Sequence, residues 1–281
     1  MEIITSTTTT NPSLSLTRPQ TRYPETIAGG WALIGMSLVF QSVGGIPTGA
    51  LDYLAKQNNW NLYGLPQALG YALVFALTIW FAFRKRGNNR LAFAPVAPAT
   101  FPVVAVGTVA LAVLLEAVTS LIPSPDWLTE IMKTMFTRNM IFSAVLLAPV
   151  LEEVMFRGIM LDGFLKRYSP TKAILWSALF FGLIHFIPAQ ALGASILGIA
   201  LGWLYYRTRS LWLCMAVHFV NNAVASLPLL FGDEKTSLDM SANYSLNLLD
   251  GSTVVYGVVL AGCAGIVFGC YVLLNRMLPK A

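Results

Sequence analysis

Charged side chains are scarce in this chain of 281 residues. Asp, Glu, Lys and Arg make up only 11% of it, whereas hydrophobic residues make up 56% and the mean hydropathy is +0.65. This composition excludes an ordinary soluble domain, in which about 25% of residues are charged. Apolar stretches follow one another along the chain, each long enough for a bilayer core of about 30 Å. We therefore expect an integral membrane protein.

The sequence also lacks the apolar–polar alternation of a transmembrane barrel strand, and helices are the other structure that satisfies its own backbone in lipid. No internal repeat of the transporter type is evident. We predict an all-α, polytopic bundle of about eight transmembrane helices. The apolar spans lie at about 28–49, 62–83, 102–122, 139–160, 172–188, 192–206, 211–231 and 254–274.

Four segments are expected. Residues 1–26, rich in Thr, Ser and Pro, are predicted to form a disordered tail. Residues 27–138 hold the first transmembrane helices and an amphipathic linker, in which Trp127, Leu128 and Met135 share one face at helical spacing. Residues 139–231 are expected to form the catalytic core helices, and 232–281 an outer loop with the last transmembrane helix.

Cysteine is rare as well: Cys214, Cys263 and Cys270 lie in apolar runs without ligand spacing, so we interpret them as buried small hydrophobes. The pI of about 9.2 does not require a nucleic-acid partner, because the basic residues lie in short loops. Thirteen of the 18 Lys and Arg residues share a side with both termini, and four lie opposite: Lys56, Lys133, Arg138 and Lys235. We predict that both termini are cytoplasmic, in the plasma (inner) membrane of a bacterium or in an endomembrane or plastid of a eukaryote.

Few ionisable residues remain at membrane depth: Glu116, Glu152, Glu153, Arg157, His185 and His218, the last two being the only histidines. Each Glu or Arg near a helix centre costs about 2.5–3.5 kcal/mol on insertion scales. Such residues indicate a functional site, the alternative being a charge network that only fixes helix packing. Glu116 stands apart: snorkelling, a hydrogen bond within the bundle and a place in a cavity wall all remain open.

Spacing relates these residues to one another. Glu153 and Arg157 are i,i+4 and are predicted to pair, whereas Glu152 is turned about 100° away and is free to face another helix. Two further i,i+4 pairs are Phe181 with His185 and His218 with Asn222. Phe181 is interpreted as packing or as the wall of a substrate cavity. His218 and Asn222 offer two donors for a developing oxyanion.

Three motifs occur in order on successive apolar spans: EE-x-x-x-R (Glu152, Glu153, Arg157), F-x-x-x-H (Phe181, His185) and H-x-x-x-N (His218, Asn222). In this order they resemble the CAAX prenyl protease and bacteriocin-processing family of intramembrane glutamate endopeptidases. The resemblance covers about residues 139–231, roughly a third of the chain.

The resemblance implies a helical bundle that encloses a cavity and hydrolyses a peptide bond of a membrane-embedded or prenylated, CAAX-type substrate. It implies that Glu152 and His185 hold and activate a water molecule and that Glu152 passes the proton to the leaving amine. It also implies that His218 and Asn222 form the oxyanion site, supported by Glu153 and Arg157. No cofactor is expected, and the partners are the lipid bilayer and the substrate.

Other functions remain open. A zinc-dependent protease would use Glu152, His185 and His218 as ligands, although the sequence has no H-E-x-x-H motif. A non-proteolytic immunity or scaffold protein would use the polar core to bind another helix, and a proton-coupled transporter would use it as a relay. The natural substrate cannot be read from the residues.

Overall fold

The protein is all-α over the part of the chain that the structure describes. The structure is a computed structural model and describes residues 23–123, 125–128, 130, 140–231 and 244–279. Across these residues there is no β-strand, only an isolated bridge between Phe93 and Ser210. The all-α prediction is confirmed. Residues 1–22 of the predicted disordered tail and most of the predicted amphipathic linker lie outside the described residues.

Long helices alternate with short turns, and each predicted span coincides with a helical segment. We label the helices α1 Ile27–Gln57, α2 Leu65–Arg86, α3 Thr100–Thr119, α4 (defined below), α5 Pro170–Leu183, α6 Pro188–Thr208, α7 Leu211–Ala225, α8 Leu227–Phe231, α9 Tyr244–Asn247 and α10 Thr253–Met277.

Several of these helices are long and apolar enough to cross a membrane. Within the described ranges five meet that standard, namely α1, α2, α3, α6 and α10. Helices α5 and α7 are apolar but shorter, with 14 and 15 residues. The chain is therefore an integral membrane protein, whereas the number of eight spans stays a prediction.

Helix α4 carries the Glu pair and departs from regular α geometry. It runs through a π-helix Ser143–Leu147, an α segment Ala148–Glu153, a second π-helix Val154–Leu161 and a last turn Asp162–Phe164. The sequence had predicted one regular helix over 139–160. Side chains from other helices donate to carbonyl oxygens of the π segments: Asn222 to Ala144 at 2.8 Å, Ser177 to Phe156 at 3.2 Å and Arg86 to Gly158 at 3.1 Å. Neighbouring helices thus stabilise the irregular backbone, a feature often found at functional sites.

A charge cluster around Asp162 closes the end of α4. The carboxylate of Asp162 pairs with Arg86 of α2 at 2.6 Å, with Lys166 at 2.7 Å and with Arg209 after α6 at 3.0 Å. Arg86 is buried and uses its other terminal nitrogen for the Gly158 carbonyl. Helix α2 is therefore fixed to α4 at this end by a charge-assisted hydrogen bond, the stronger kind.

Helices α5 and α6 form a hairpin that approaches closely through glycine. A Cβ atom added at Gly198 would lie 3.0 Å from the Cα atom of Ala178. At Gly182 it would lie 1.9 Å from the Ser195 Oγ atom and 2.5 Å from the backbone oxygen of Ala191. Small residues commonly allow such close helix contacts in membranes. This hairpin positions Phe181 and the turn that follows it.

We predict that Gly182→Ala destabilises the protein by about 1–3 kcal/mol, because the new methyl group overlaps backbone that cannot move aside. Thermal unfolding in detergent measures the effect. The matched control is Gly265→Ala on α10, where no heavy atom of the described residues lies within 4 Å of the new methyl group. The control should not lower the unfolding temperature, since alanine is the better helix former. Equal midpoints for Gly182→Ala and wild type would contradict the close approach.

Candidate active site

Glu152 lies buried where α2, α4 and α7 meet. The hydroxyl group of Tyr71 on α2 donates to its Oε1 atom. Its Oε2 atom lies 3.9 Å from the Nε2 atom of His218 on α7 and has no hydrogen-bond partner among the described residues. As the sequence predicted, Glu152 faces other helices. One carboxylate oxygen is thus held by a phenol and the other is directed at an imidazole.

Glu153 is fully buried and joins α4 to α7. Its Oε1 atom accepts hydrogen bonds from Arg157 Nη1 and from His218 Nδ1, each at 2.8 Å. The other terminal nitrogen of Arg157 donates to the Gly198 carbonyl at 3.2 Å, which reaches α6. The structure therefore contains the ion pair that the i,i+4 spacing predicted, with both side chains at 0% exposure.

The hydrogen bond to Glu153 sets the tautomer of His218. A carboxylate oxygen only accepts hydrogen bonds, so Nδ1 of His218 carries a proton, and in the neutral form of the ring Nε2 offers a lone pair. A gap of 3.9 Å between Nε2 and Glu152 Oε2 is too long for a direct hydrogen bond. A water molecule at about 2.8 Å from both atoms would bridge it.

His185 follows a helix instead of lying within one, which corrects the predicted span 172–188. Helix α5 ends at Leu183, and Phe186 has a positive φ of 56° before α6 begins at Pro188. A bulky residue in the left-handed region is uncommon, and such backbone strain clusters at functional sites. The turn brings Nδ1 of His185 to 2.9 Å from the carbonyl oxygen of Phe181. No carboxylate of the described residues lies within ion-pair distance of His185.

Phe181 is the packing centre of the site. Its ring meets the imidazoles of His185 and His218 edge to face, at centroid distances of 5.3 and 5.5 Å. The Arg157 guanidinium lies over the same ring, 4.4 Å from its centroid. Phe181 is only 1% exposed, so its ring packs beneath the polar groups of the site. Its suggested role in a cavity wall stays a prediction.

Asn222 lies one turn after His218 on α7 and is fixed by α4. Its side-chain nitrogen donates to the Ala144 carbonyl at 2.8 Å, which leaves a second amide hydrogen. The side-chain nitrogen of the adjacent Asn221 donates to the Oδ1 atom of Asn222 at 3.1 Å. The orientation of the Asn222 amide is thus set from both sides.

Sequence reasoning missed Tyr71 and left Glu116 open. Tyr71 carries no signal, because a tyrosine in an apolar span is ordinary. Glu116 on α3 accepts hydrogen bonds from the backbone nitrogen of Ser245, at 3.0 Å, and from its hydroxyl group. Of the alternatives for Glu116, the structure therefore shows a hydrogen bond within the bundle, which joins α3 to α9.

A metal site was the alternative interpretation of Glu152, His185 and His218. Over the described ranges, no three His, Cys, Asp or Glu side chains lie together as metal ligands would. This donor set does not fit zinc, which needs at least three protein ligands.

An apolar groove of about 560 Å³ lies on the surface formed by α3, α4 and α7. Pro149 and Val150 line it from α4, within one turn of Glu152, and Met215 and Phe219 line it from α7, next to His218. Trp212 adds a partly exposed indole ring. Because Val150, Phe219 and Trp212 are exposed, the groove opens on the outer surface of the bundle.

One comparison with known proteins covers this part of the chain. Residues 135–224 match the model of a family described as type II CAAX prenyl endopeptidase Rce1-like. No curated protein and no solved structure matches the chain. The matched segment includes every site residue proposed from the sequence, from Glu152 to Asn222, and excludes Tyr71.

We predict that Arg157→Met destabilises the protein by about 3–5 kcal/mol, because it leaves the Glu153 carboxylate buried without its cation. The measurement is thermal unfolding in detergent. Lys56→Met is the matched control, since Lys56 and Asp52 form an i,i+4 pair of the same 2.8 Å length with Lys56 76% exposed. An exposed pair contributes less than about 1 kcal/mol. Similar losses in both variants would contradict the assigned burial.

Proposed function

We propose that this chain, of which residues 135–224 match the Rce1-like family of CAAX prenyl endopeptidases, is an intramembrane glutamate endopeptidase. It hydrolyses a peptide bond of a membrane-bound, CAAX-type lipidated substrate. The observation that carries the proposal is the buried Oε2 atom of Glu152, which faces His218 Nε2 at 3.9 Å and has no other partner in the described part of the chain.

The reaction begins with a water molecule between Glu152 and His218. Both Oε2 and Nε2 are acceptors, so the water donates one hydrogen to each and its lone pairs point toward the substrate. Glu152 takes a proton as the oxygen attacks the scissile carbonyl carbon. The same carboxyl group then gives the proton to the leaving nitrogen as the C–N bond breaks. One carboxylate thus serves as base and then as acid.

The oxyanion receives its donors from elsewhere in the site. The second amide hydrogen of Asn222 is available, because the first is bound by the Ala144 carbonyl. His185, across the Phe181 ring, donates from Nε2 once it is protonated. In this assignment His218 takes the water-holding role that the resemblance gives to His185. The separation of 3.9 Å between His218 Nε2 and Glu152 Oε2 supports this change of role.

The apolar groove supports a lipidated substrate. It runs along the same turns of α4 and α7 that carry Glu152 and His218. An isoprenoid or acyl tail in the groove, in contact with Met215 and Phe219, would anchor the substrate so that the adjoining peptide reaches the polar cluster. Binding energy from the remote tail would then position the scissile bond.

The orientation in the membrane follows from charge. Arg86, Lys166 and Arg209, which surround Asp162, are among the basic residues on the side of both termini. We propose that this end faces the cytosol, as basic loops do.

We predict that Glu152→Gln reduces proteolysis at least a hundredfold, because an amide cannot take the proton from water. The measurement is proteomics of membrane-protein C-termini in cells that carry wild type or the variant, where a C-terminal fragment should disappear. Glu116→Gln is the matched control: another glutamate at membrane depth, bound to Ser245 outside the site. The C-terminal fragment should persist in cells that carry Glu116→Gln. Cleavage that persists in Glu152→Gln, or a biological activity that needs no cleavage, would support a scaffold protein instead.

We predict that the purified enzyme keeps its activity, within about twofold, after exhaustive chelation, because the proposed reaction uses only side chains and water. The measurement is cleavage of a farnesylated CAAX peptide before and after dialysis against a zinc chelator. A known zinc protease in the same buffer shows that the chelator works. Loss of activity that zinc alone restores would overturn the glutamate mechanism.

A further inference from the structure

Tyr71 lies outside the matched segment yet touches the most important carboxylate in it. Its hydroxyl group donates to Glu152 Oε1 from α2, 81 residues away in the chain. The ring of Tyr71 packs against Phe75, one turn further along α2, with 4.8 Å between ring centroids. The phenol is therefore supported on its own helix while it reaches α4.

We propose that Tyr71 is a positioning residue that fixes the rotation of the Glu152 carboxylate and leaves one defined oxygen for water. The inference rests on the proposed function, because it concerns the same catalytic carboxylate. It assigns a role to a residue that neither the motifs nor the family match includes.

The terminal torsion of a glutamate is broad and roughly two-fold, so a carboxylate without a fixed partner exchanges its two oxygens. Tyr71 removes this freedom by binding Oε1, and Oε2 then faces His218 Nε2. A rotation of the Glu152 carboxylate by about 10–20° would turn Oε2 away from His218 Nε2. Catalytic geometry tolerates little displacement of this kind.

Helix α2 has a second attachment to α4, far from Tyr71. Arg86, fifteen residues after Tyr71 and thus about 22 Å along the helix axis, binds both the Gly158 carbonyl and the Asp162 carboxylate of α4. The two helices are therefore joined at two distant points. Tyr71 is held in register with Glu152 by contacts other than its own hydrogen bond.

The charged and titratable groups around Glu152 are few. From α2 it meets Tyr71, from α7 it meets His218, and its own helix contributes Glu153 with Arg157. Glu153 is compensated by Arg157 and His218, so the Tyr71 hydroxyl is the donor that acts on Glu152 directly.

Tyr71→Phe should lower kcat roughly tenfold to a hundredfold and change KM less than about twofold. The assay follows cleavage of a farnesylated CAAX peptide by purified full-length enzyme. Tyr23→Phe is the control, since the Tyr23 hydroxyl is buried without a hydrogen-bond partner among the described residues. It should leave kcat and KM unchanged.

A thermal measurement covers the case in which Tyr71→Phe folds poorly. The drop in unfolding temperature from Tyr71→Phe should be smaller in a Glu152→Ala background, because the hydrogen bond is already gone there. Equal drops in both backgrounds, or an unchanged kcat in a folded Tyr71→Phe enzyme, would overturn the positioning role. Activity in Glu152→Gln would instead overturn the proposed function, so the two failures are distinguishable.

Discussion

A single carboxylate oxygen, Oε1 of Glu153, holds the site together. It accepts hydrogen bonds from Arg157 on its own helix and from His218 on α7, both at 2.8 Å. Arg157 in turn reaches the Gly198 carbonyl on α6 and lies over the ring of Phe181 on α5. A buried charge must be paired and hydrogen-bonded to be tolerated. Burial of this one negative charge therefore depends on contacts from four helices, α4, α5, α6 and α7. The same packing places the neighbouring Glu152 beside the imidazole of His218.

The backbone of α4 is irregular on both sides of the Glu pair. The π segments before and after Ala148–Glu153 present carbonyl oxygens that Asn222, Ser177 and Arg86 bind. Each of these donors comes from a different helix. In a membrane, departures from regular helix geometry persist only where other groups satisfy the freed backbone. The irregular turns thus act as attachment points, and they fix the orientation of the Asn222 amide as well as the position of α2.

The parts of this site that were predictable from sequence are those whose signal is local. Spacing alone indicated the Glu153–Arg157 pair, and polarity at membrane depth singled out Glu152 and His218. The end of α5 was also readable, because the residue before Pro188 disfavours helix, yet the predicted span ran through it. Tyr71 and the π segments were not predictable, since both depend on how distant helices pack. The role of His218 as the near neighbour of Glu152 likewise needed three dimensions.

The attachment of Glu152 to α2 bears on whether the matched segment could work in another protein. That segment, residues 135–224, begins well after α2 ends. A graft of that segment into another membrane scaffold would carry both glutamates, both histidines and the asparagine, yet it would bring neither the phenol against Glu152 nor the guanidinium at Gly158. The host would have to supply equivalents at the same depth. Without them, the transplanted motifs would keep their residues, but the Glu152 carboxylate would no longer be held in place.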